Sequence, residues 1–370
     1  MKKPLFQVSA PGRICLFGEH SDYLGLPVMT MAIDLRMKIS ATPRQDKKFR
    51  ILMPDIGEED AFVPSRVLKY QKPRDYLRAG VNVLKRRGFQ FQKGFDFEIR
   101  SDIPVNAGAS SSSALVIAWL KMLLTVEQSS LSWNALEIAK MGFETEVWEF
   151  QEAGGRMDHF AIAFGEAIYL ENQKPKSNVY PVTLQFMHLP TQQFILADSL
   201  EPKKDTVGHI RENKKKVLKG LKEIRKKIKN FKIEKTSVLE ITKKFKNKTM
   251  SSLQRQGFKM ALATLRNRDL TLKAKKMFIQ KNYKDVKQFG KMLDAHHKIL
   301  KNDLKISTPK FEKMIQAAKS AGALGCKVNG SGLGGTMVIY APGCEKKVMR
   351  AIERVGGRPY LVTQSRGINP

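Results

Sequence analysis

From Ser111 to Leu124 the chain reads Ser-Ser-Ser-Ala-Leu-Val-Ile-Ala-Trp-Leu-Lys-Met-Leu-Leu. The pattern predicts a helix, and because apolar side chains occupy almost every side of it, no face is left for water. Such a helix has to be wrapped by other elements. Its length is equally constraining: the longest uninterrupted apolar run, Ala114 to Leu120, stops at Lys121, far short of the roughly 18 to 20 residues that span a bilayer. The helix is therefore expected inside a soluble core, and no membrane partner is expected. With 370 residues, 42% of them hydrophobic, the chain is long and apolar enough to build two cores.

Three small-residue segments carry the chemistry. The first, Pro104-Val105-Asn106-Ala107-Gly108-Ala109-Ser110, runs straight into the apolar helix, and Ser110 to Ser113 are four consecutive serines. Small residues let backbone N–H groups approach an anion, the helix start points its positive end at it, and hydroxyls add donors or a magnesium ligand. An N-cap needs only one such hydroxyl. The second segment, Asn329-Gly330-Ser331-Gly332-Leu333-Gly334-Gly335-Thr336, matches G-x-G-x-x-G. A dinucleotide fingerprint follows a strand and opens a helix, whereas here a helix-like segment precedes the glycines and strand-like Thr336 to Tyr340 follows. No G-x-x-x-x-G-K-[ST] occurs in the chain, which excludes a Walker-type loop. The reading is a glycine turn between helix and strand, open to an anion or to service as a tight turn. The third segment, Ala10 to Gly25, places Arg13, Glu19, His20, Asp22 and Tyr23 in a Gly-punctuated apolar stretch. Such a cluster suits a polyhydroxylated ligand.

Charge divides the chain. Lys and Arg total 66 against 35 Asp and Glu, a formal +31, and residues 201 to 310 hold about 33 of the cations and about 10 of the anions. Lys214 to Lys229 reads as an amphipathic helix with Val217, Leu218, Leu221, Ile224 and Ile228 on one face. Lys214, Lys215, Lys216, Lys226 and Lys227 are expected to coat it, supporting non-specific polyanion binding at most and no specific nucleic-acid partner. Before residue 200, Phe6 to Ala10, Val28 to Ile33, Met37 to Ala41, Phe95 to Ile99 and Ala167 to Leu170 read as strands, and Ala135 to Phe150 as a helix. Phe311 to Ala321 reads as a further helix. This succession predicts an α+β fold, with one domain over 1–190 and a second, lysine-rich one over 191–370 opening at the strand Phe194 to Ala197. Cys15, Cys326 and Cys344 are too few for a disulfide framework, and the apolar stretch behind the two opening lysines is too short for a secretory signal. A cytoplasmic setting is the expectation.

Taken together, these segments resemble the GHMP small-molecule kinases, and most closely the galactokinases. Pro11-Gly12-Arg13 through Tyr23, Gly108 through Leu115 and Gly330 through Gly335 stand in that family's order. Gly155-Arg156-Met157-Asp158-His159-Phe160 is similar to the galactokinase segment bearing the catalytic aspartate, and Met292 to Ser307, with Asp294, His296 and Asp303, is galactokinase-like too. The resemblance implies a ribosomal-S5-like N-terminal domain, a ferredoxin-like C-terminal domain and a cleft between them that uses ATP and Mg²⁺. It implies Asp158 and Arg13 as catalytic residues and Glu19, His20, Asp22 and Tyr23 as sugar ligands. Gly108, Ala109, Ser110, Ser111, Ser112, Ser113, Gly330, Ser331, Gly332 and Gly334 would bind ATP, and Ser112 with Glu146 would hold the metal.

The chain departs from the galactokinase pattern at Cys15, where that family has Asn, and at His159, where it has Gln. It also has Gly208-His209 in place of a Tyr-Asn pair whose Tyr contacts the sugar. The expected activity is phosphorylation of a monosaccharide hydroxyl, the anomeric one. The alternatives are a kinase for another sugar, a sugar acid or a polyol, and a silent sugar- and ATP-binding sensor.

Overall fold

The computed structural model describes residues 5–65, 67–104, 108–172, 182–203, 206–246, 249–279 and 286–368. Val105, Asn106 and Ala107 of the serine-rich segment lie outside them. Two antiparallel-rich sheets organise the chain. The first has seven strands: β1 (Phe6–Phe17), β2 (Val28–Pro43), β3 (Phe49–Met53), β4 (Glu58–Phe62), β5 (Phe95–Ser101), β6 (Ala167–Asn172) and β7 (Val182–Phe186), ordered β4-β3-β5-β2-β6-β7 with β1 on β2. The expected strands Val28 to Ile33 and Met37 to Ala41 are one continuous element. The interruption survives as a bulge in β2: Pro11 of β1 pairs with Arg36 and Gly12 with Ile33, which leaves Asp34 and Leu35 as the extra residues.

Over this sheet pack α1 (Tyr76–Arg86), α2 (Ser111–Val126), α3 (Ala135–Phe143) and α4 (Met157–Phe164). As its composition demands, α2 is buried along nearly all its length from Ser113 to Leu124, and Lys121 goes in with it, donating to the carbonyl of Ile368. The helix expected over Ala135 to Phe150 ends at Phe143 and continues as a wider π-turn, Glu144–Trp148. Such turns reset the side-chain phase of a helix, and this one turns Glu146 inward.

The second sheet contains β8 (Gln193–Asp198), β9 (Gly325–Val328), β10 (Thr336–Tyr340) and β11 (Arg358–Thr363), all antiparallel and ordered β11-β8-β10-β9. With α10 (Glu345–Arg354) between β10 and β11, this is the ferredoxin-like split arrangement. Between β8 and β9 the chain inserts α5 (Thr206–Lys227), α6 (Val238–Phe245), α7 (Ser252–Ile279), α8 (Val286–Asn302) and α9 (Pro309–Ser320). Strand alternation splits the sheet's two faces. Phe194, Leu196, Val338, Tyr340 and Val362 join the core around α2, whereas Ile195, Ala197, Cys326, Met337 and Ile339 join the helical core. Val217, Leu221 and Ile224 of α5 are buried there with Ile228 just beyond its end, but Leu218 is exposed. No described helix is long and apolar enough to cross a membrane.

Two expectations about the motif segments need correction. The glycine segment does not join a helix to a strand; it is the β9–β10 hairpin, because Gly325–Val328, too short to stand out in the sequence, forms a strand. Arg13 belongs to a strand that runs well beyond the expected Phe6 to Ala10. It lies within β1, and its backbone N–H donates to the carbonyl of Ala109 at 3.1 Å. Gly12 allows that approach, since a side chain there would begin 3.0 Å from the same carbonyl.

Candidate active site

The ends of β1 and α4, the start of α2 and the β9–β10 hairpin enclose a cavity of about 380 Å³. Asp158, in the first turn of α4, faces it. Arg13 reaches across from β1 and grips this carboxylate with both edges, Nε to Oδ1 at 2.7 Å and Nη2 to Oδ2 at 2.8 Å. The Ser110 hydroxyl donates to Oδ2 at 2.6 Å. Burial alone would raise the Asp158 pKa, but the Arg13 charge, its hydrogen bonds and the Ser110 hydroxyl together hold it below the ordinary aspartate value. Asp158 is thus an ionised, fully directed carboxylate.

Ser112 and Ser113 serve a second carboxylate. Glu146, delivered by the π-turn, lies 2.8 Å from His159 Nε2. Burial raises its pKa, and the His159 hydrogen bond with the Ser113 and Ser112 hydroxyls more than reverses this, so Glu146 stays ionised. Glu146, Ser112 and Ser113 all line the cavity. Such hard oxygen donors suit Mg²⁺ in preference to a softer metal.

The residues expected on the sugar side divide. Asp22 accepts from the Tyr23 and Met157 backbone N–H groups at 2.9 and 3.2 Å. It packs so tightly on Gly155 that a side chain there would overlap it. Burial and then the Asp158 charge push its pKa up to about 6. His20 has a left-handed backbone, φ 58°, and burial pulls its pKa down to about 4, leaving a neutral ring at neutral pH. Its Nε2 faces the Ser331 carbonyl at 3.3 Å, which can only accept, so Nδ1 is the acceptor for Tyr23 Oη at 3.5 Å. Glu19 also borders the cavity, but its carboxylate is paired with the buried Lys327 ammonium, and only 1% of the Glu19 side chain is exposed. The Cys15 thiol is buried under the strand, and burial raises its pKa, so it supplies no nucleophile.

Of the glycine positions, Gly108 and Gly330 line the cavity with Ser331; Ala109, Gly332 and Gly334 do not. Gly332 faces Ile306 and Gly334 faces the Glu201 carbonyl, shaping the hairpin from behind. Several lining residues carry no motif signal: Arg74, Tyr76, Glu152, Lys203 and Ile210. Lys203 Nζ donates to Ser331 Oγ at 2.9 Å and sits beside Gly108, bridging the serine loop and the hairpin. Burial, then Arg13, pulls its pKa down to about 8. Nothing in a basic stretch of sequence distinguishes this lysine from its neighbours. One of the lysines expected to coat α5 also belongs here: Lys214 Nζ lies 5.4 Å from the Tyr23 ring centroid, because the first turns of α5 abut the cavity.

Comparisons with known proteins give the family and the fold. Residues 75–166 match the family model for the GHMP kinases N terminal domain, residues 265–356 the GHMP kinases C terminal model, and residues 1–43 the galactokinase galactose-binding signature. The chain is 28% identical over 367 residues to a mevalonate kinase of Pyrococcus furiosus, across 97% of this chain and 96% of that one. To a galactokinase of Lactococcus lactis it is 28% identical over 365 residues, across 95% and 88%. The crystal structure of Lactococcus lactis galactokinase complexed with galactose superposes with a TM-score of 0.81 at 26% identity, covering 98% of this chain and 94% of that one. Methanococcus jannaschii mevalonate kinase shares the fold, with a TM-score of 0.73 at 18% identity and 99% coverage of both. Matched by both the N-terminal and the C-terminal model of the family and alike over its whole length, the chain belongs to the GHMP kinases.

Proposed function

We propose that this GHMP kinase is an ATP-dependent sugar kinase that phosphorylates a monosaccharide hydroxyl, the anomeric one, in the manner of a galactokinase. The observation that carries the reading is the Arg13–Asp158 pair, set where the serine-rich helix start and the glycine hairpin converge on one cavity. The galactose-binding signature over residues 1–43 and the 0.81 superposition on a galactose complex support a sugar acceptor.

In this reading the triphosphate lies between Gly108–Ser113 and Gly330–Ser331, with Lys203 as the cation between the two loops. Glu146 and Ser112 would hold Mg²⁺, which neutralises phosphate charge when bound. Asp22 and Tyr23 orient the acceptor so that one hydroxyl faces Asp158. The new bond joins that oxygen to the γ-phosphorus, and the bond from the γ-phosphorus to the bridging oxygen of ADP breaks. A loose transition state requires little prior activation of the nucleophile, so a carboxylate held at low pKa suffices. Asp158 directs the hydroxyl and receives its proton late, while Arg13 compensates the charge on both.

The test is an ADP-release screen over neutral hexoses, sugar acids, polyols and mevalonate, with the phosphorylated position assigned by NMR. Turnover of a hexose at its anomeric hydroxyl is the expected result. A clear preference for mevalonate or a sugar acid would overturn the sugar assignment, and nucleotide binding without transfer to any acceptor would favour the sensor.

A further inference from the structure

Asn329 has no role in the chemistry above, yet the three motif segments meet at it. It is completely buried where β9 gives way to the hairpin. Its Oδ1 accepts the Cys15 backbone N–H of β1 at 2.9 Å. Its Nδ2 donates to the Gly108 carbonyl of the serine loop at 3.0 Å and to Thr336 Oγ1 on β10 at 3.2 Å. The partners dictate the amide's orientation, since an N–H can only donate and a carbonyl can only accept. The Gly108 carbonyl is shared, because Arg13 Nη1 donates to it as well, at 2.7 Å. An unbroken series of hydrogen bonds therefore runs from the hairpin through Asn329, Gly108 and Arg13 to Asp158.

We infer that Asn329 is a positioning residue that locks the serine loop and the glycine hairpin in register and so aims Arg13 at Asp158. Gly108 has a left-handed φ of 85° and no side chain of its own to fix it. Two converging donors, one from each side of the cleft, hold its carbonyl in place. Loosening one of them shifts both the phosphate cradle and the third hydrogen bond of Arg13, while Asp22, held by the Tyr23 and Met157 backbone N–H groups, has no bond to Asn329 or to the hairpin. The inference rests on the phosphotransfer reading for its effect on turnover, but its effect on nucleotide binding can be measured without an acceptor.

The experiment compares Asn329→Ala and the near-isosteric Asn329→Asp with Thr336→Val, which removes one partner of the amide but leaves its bonds to Cys15 and Gly108. Affinity for a non-hydrolysable ATP analogue with Mg²⁺, measured by calorimetry, should fall about tenfold in both Asn329 variants, and kcat about 30-fold, with acceptor KM within about threefold. With Arg13 less firmly aimed, the Asp158 pKa rises and the acidic limb of the kcat profile moves to higher pH. Thr336→Val should stay near the parent in each readout. Parental nucleotide affinity in a folded Asn329 variant would overturn the inference, as would losses matched by Thr336→Val or shared by the acceptor KM, which mark a general slackening of the core. If Asn329→Ala does not fold, Asn329→Asp is judged by the same split. A parent that binds nucleotide but phosphorylates no acceptor counts against the functional reading and leaves Asn329 to be decided by calorimetry.

Discussion

Two ion pairs start from the same short segment, Arg13 to Glu19, and do opposite things. Arg13 of β1 pairs with Asp158, and just beyond that strand Glu19 pairs with Lys327. The Lys327 and Glu19 side chains are 0% and 1% exposed, whereas Asp158 is 26% exposed and looks into the cavity. A pair this closed holds the fold together, here by joining the end of β1 to β9. A pair with one open edge keeps a charged oxygen for a ligand. Glu19 and Asp158 look equally functional as members of motifs, and the difference between them is one of aperture.

The largest effect should come from the open pair. Asp158→Asn removes the carboxylate and leaves Arg13 uncompensated, so transfer measured in a single turnover should fall by about 10³ or more, while nucleotide affinity stays within about threefold. Turnover within tenfold of the parent would show that the open edge is not the reacting one.

Next comes the sealed pair. Glu19→Gln strands the Lys327 charge in the interior, and urea unfolding should show a loss of about 3–5 kcal/mol, with acceptor KM unchanged in the folded protein. Unchanged stability with a raised acceptor KM would instead return Glu19 to the sugar and erase the distinction between the pairs.

A smaller effect separates Lys203 from the other lysines. Its ammonium is lost as pH rises through about 8, so kcat/KM for ATP in the parent should decline above that pH. In Lys203→Met it should be about tenfold lower and lack this decline. A decline that survives the substitution would assign it to another group.

The smallest effect is expected on the outer face of α5. Lys215, Lys216, Lys226 and Lys227 changed together to Gln should weaken heparin retention and leave the kinetic constants within about twofold, because their contribution is counterion release. Lys214 stays in place because it rests against Tyr23. A large loss of activity would mean that the whole helix, and not only its first turns, borders the cleft.

Much of this was legible from the sequence. The residues of α2 could only be interior, Thr336–Tyr340 could only be a strand, and the serines at Ser110 to Ser113 could only crowd one point in space, because hydrophobic period and backbone freedom act within a few residues of chain. The resemblance extended that reading to Arg13, Asp158, Ser112 and Glu146, which do line one cavity. Where local pattern was weak, the reading failed: β9 is four residues long, and the π-turn looks like more of α3.

What the sequence by itself determined is which chemical groups are available and in what local conformation they arrive. Which of them face a ligand was decided by tertiary structure alone. Arg13 meets Asp158 across 145 residues, Lys327 meets Glu19 across 308, and Asn329 reaches Gly108 across 221. No periodicity spans such distances. A lysine's role as solvent coat, buried counter-ion or phosphate cation depends on what the packed sheets and helices leave open around its ammonium, and that space exists only once both cores have closed.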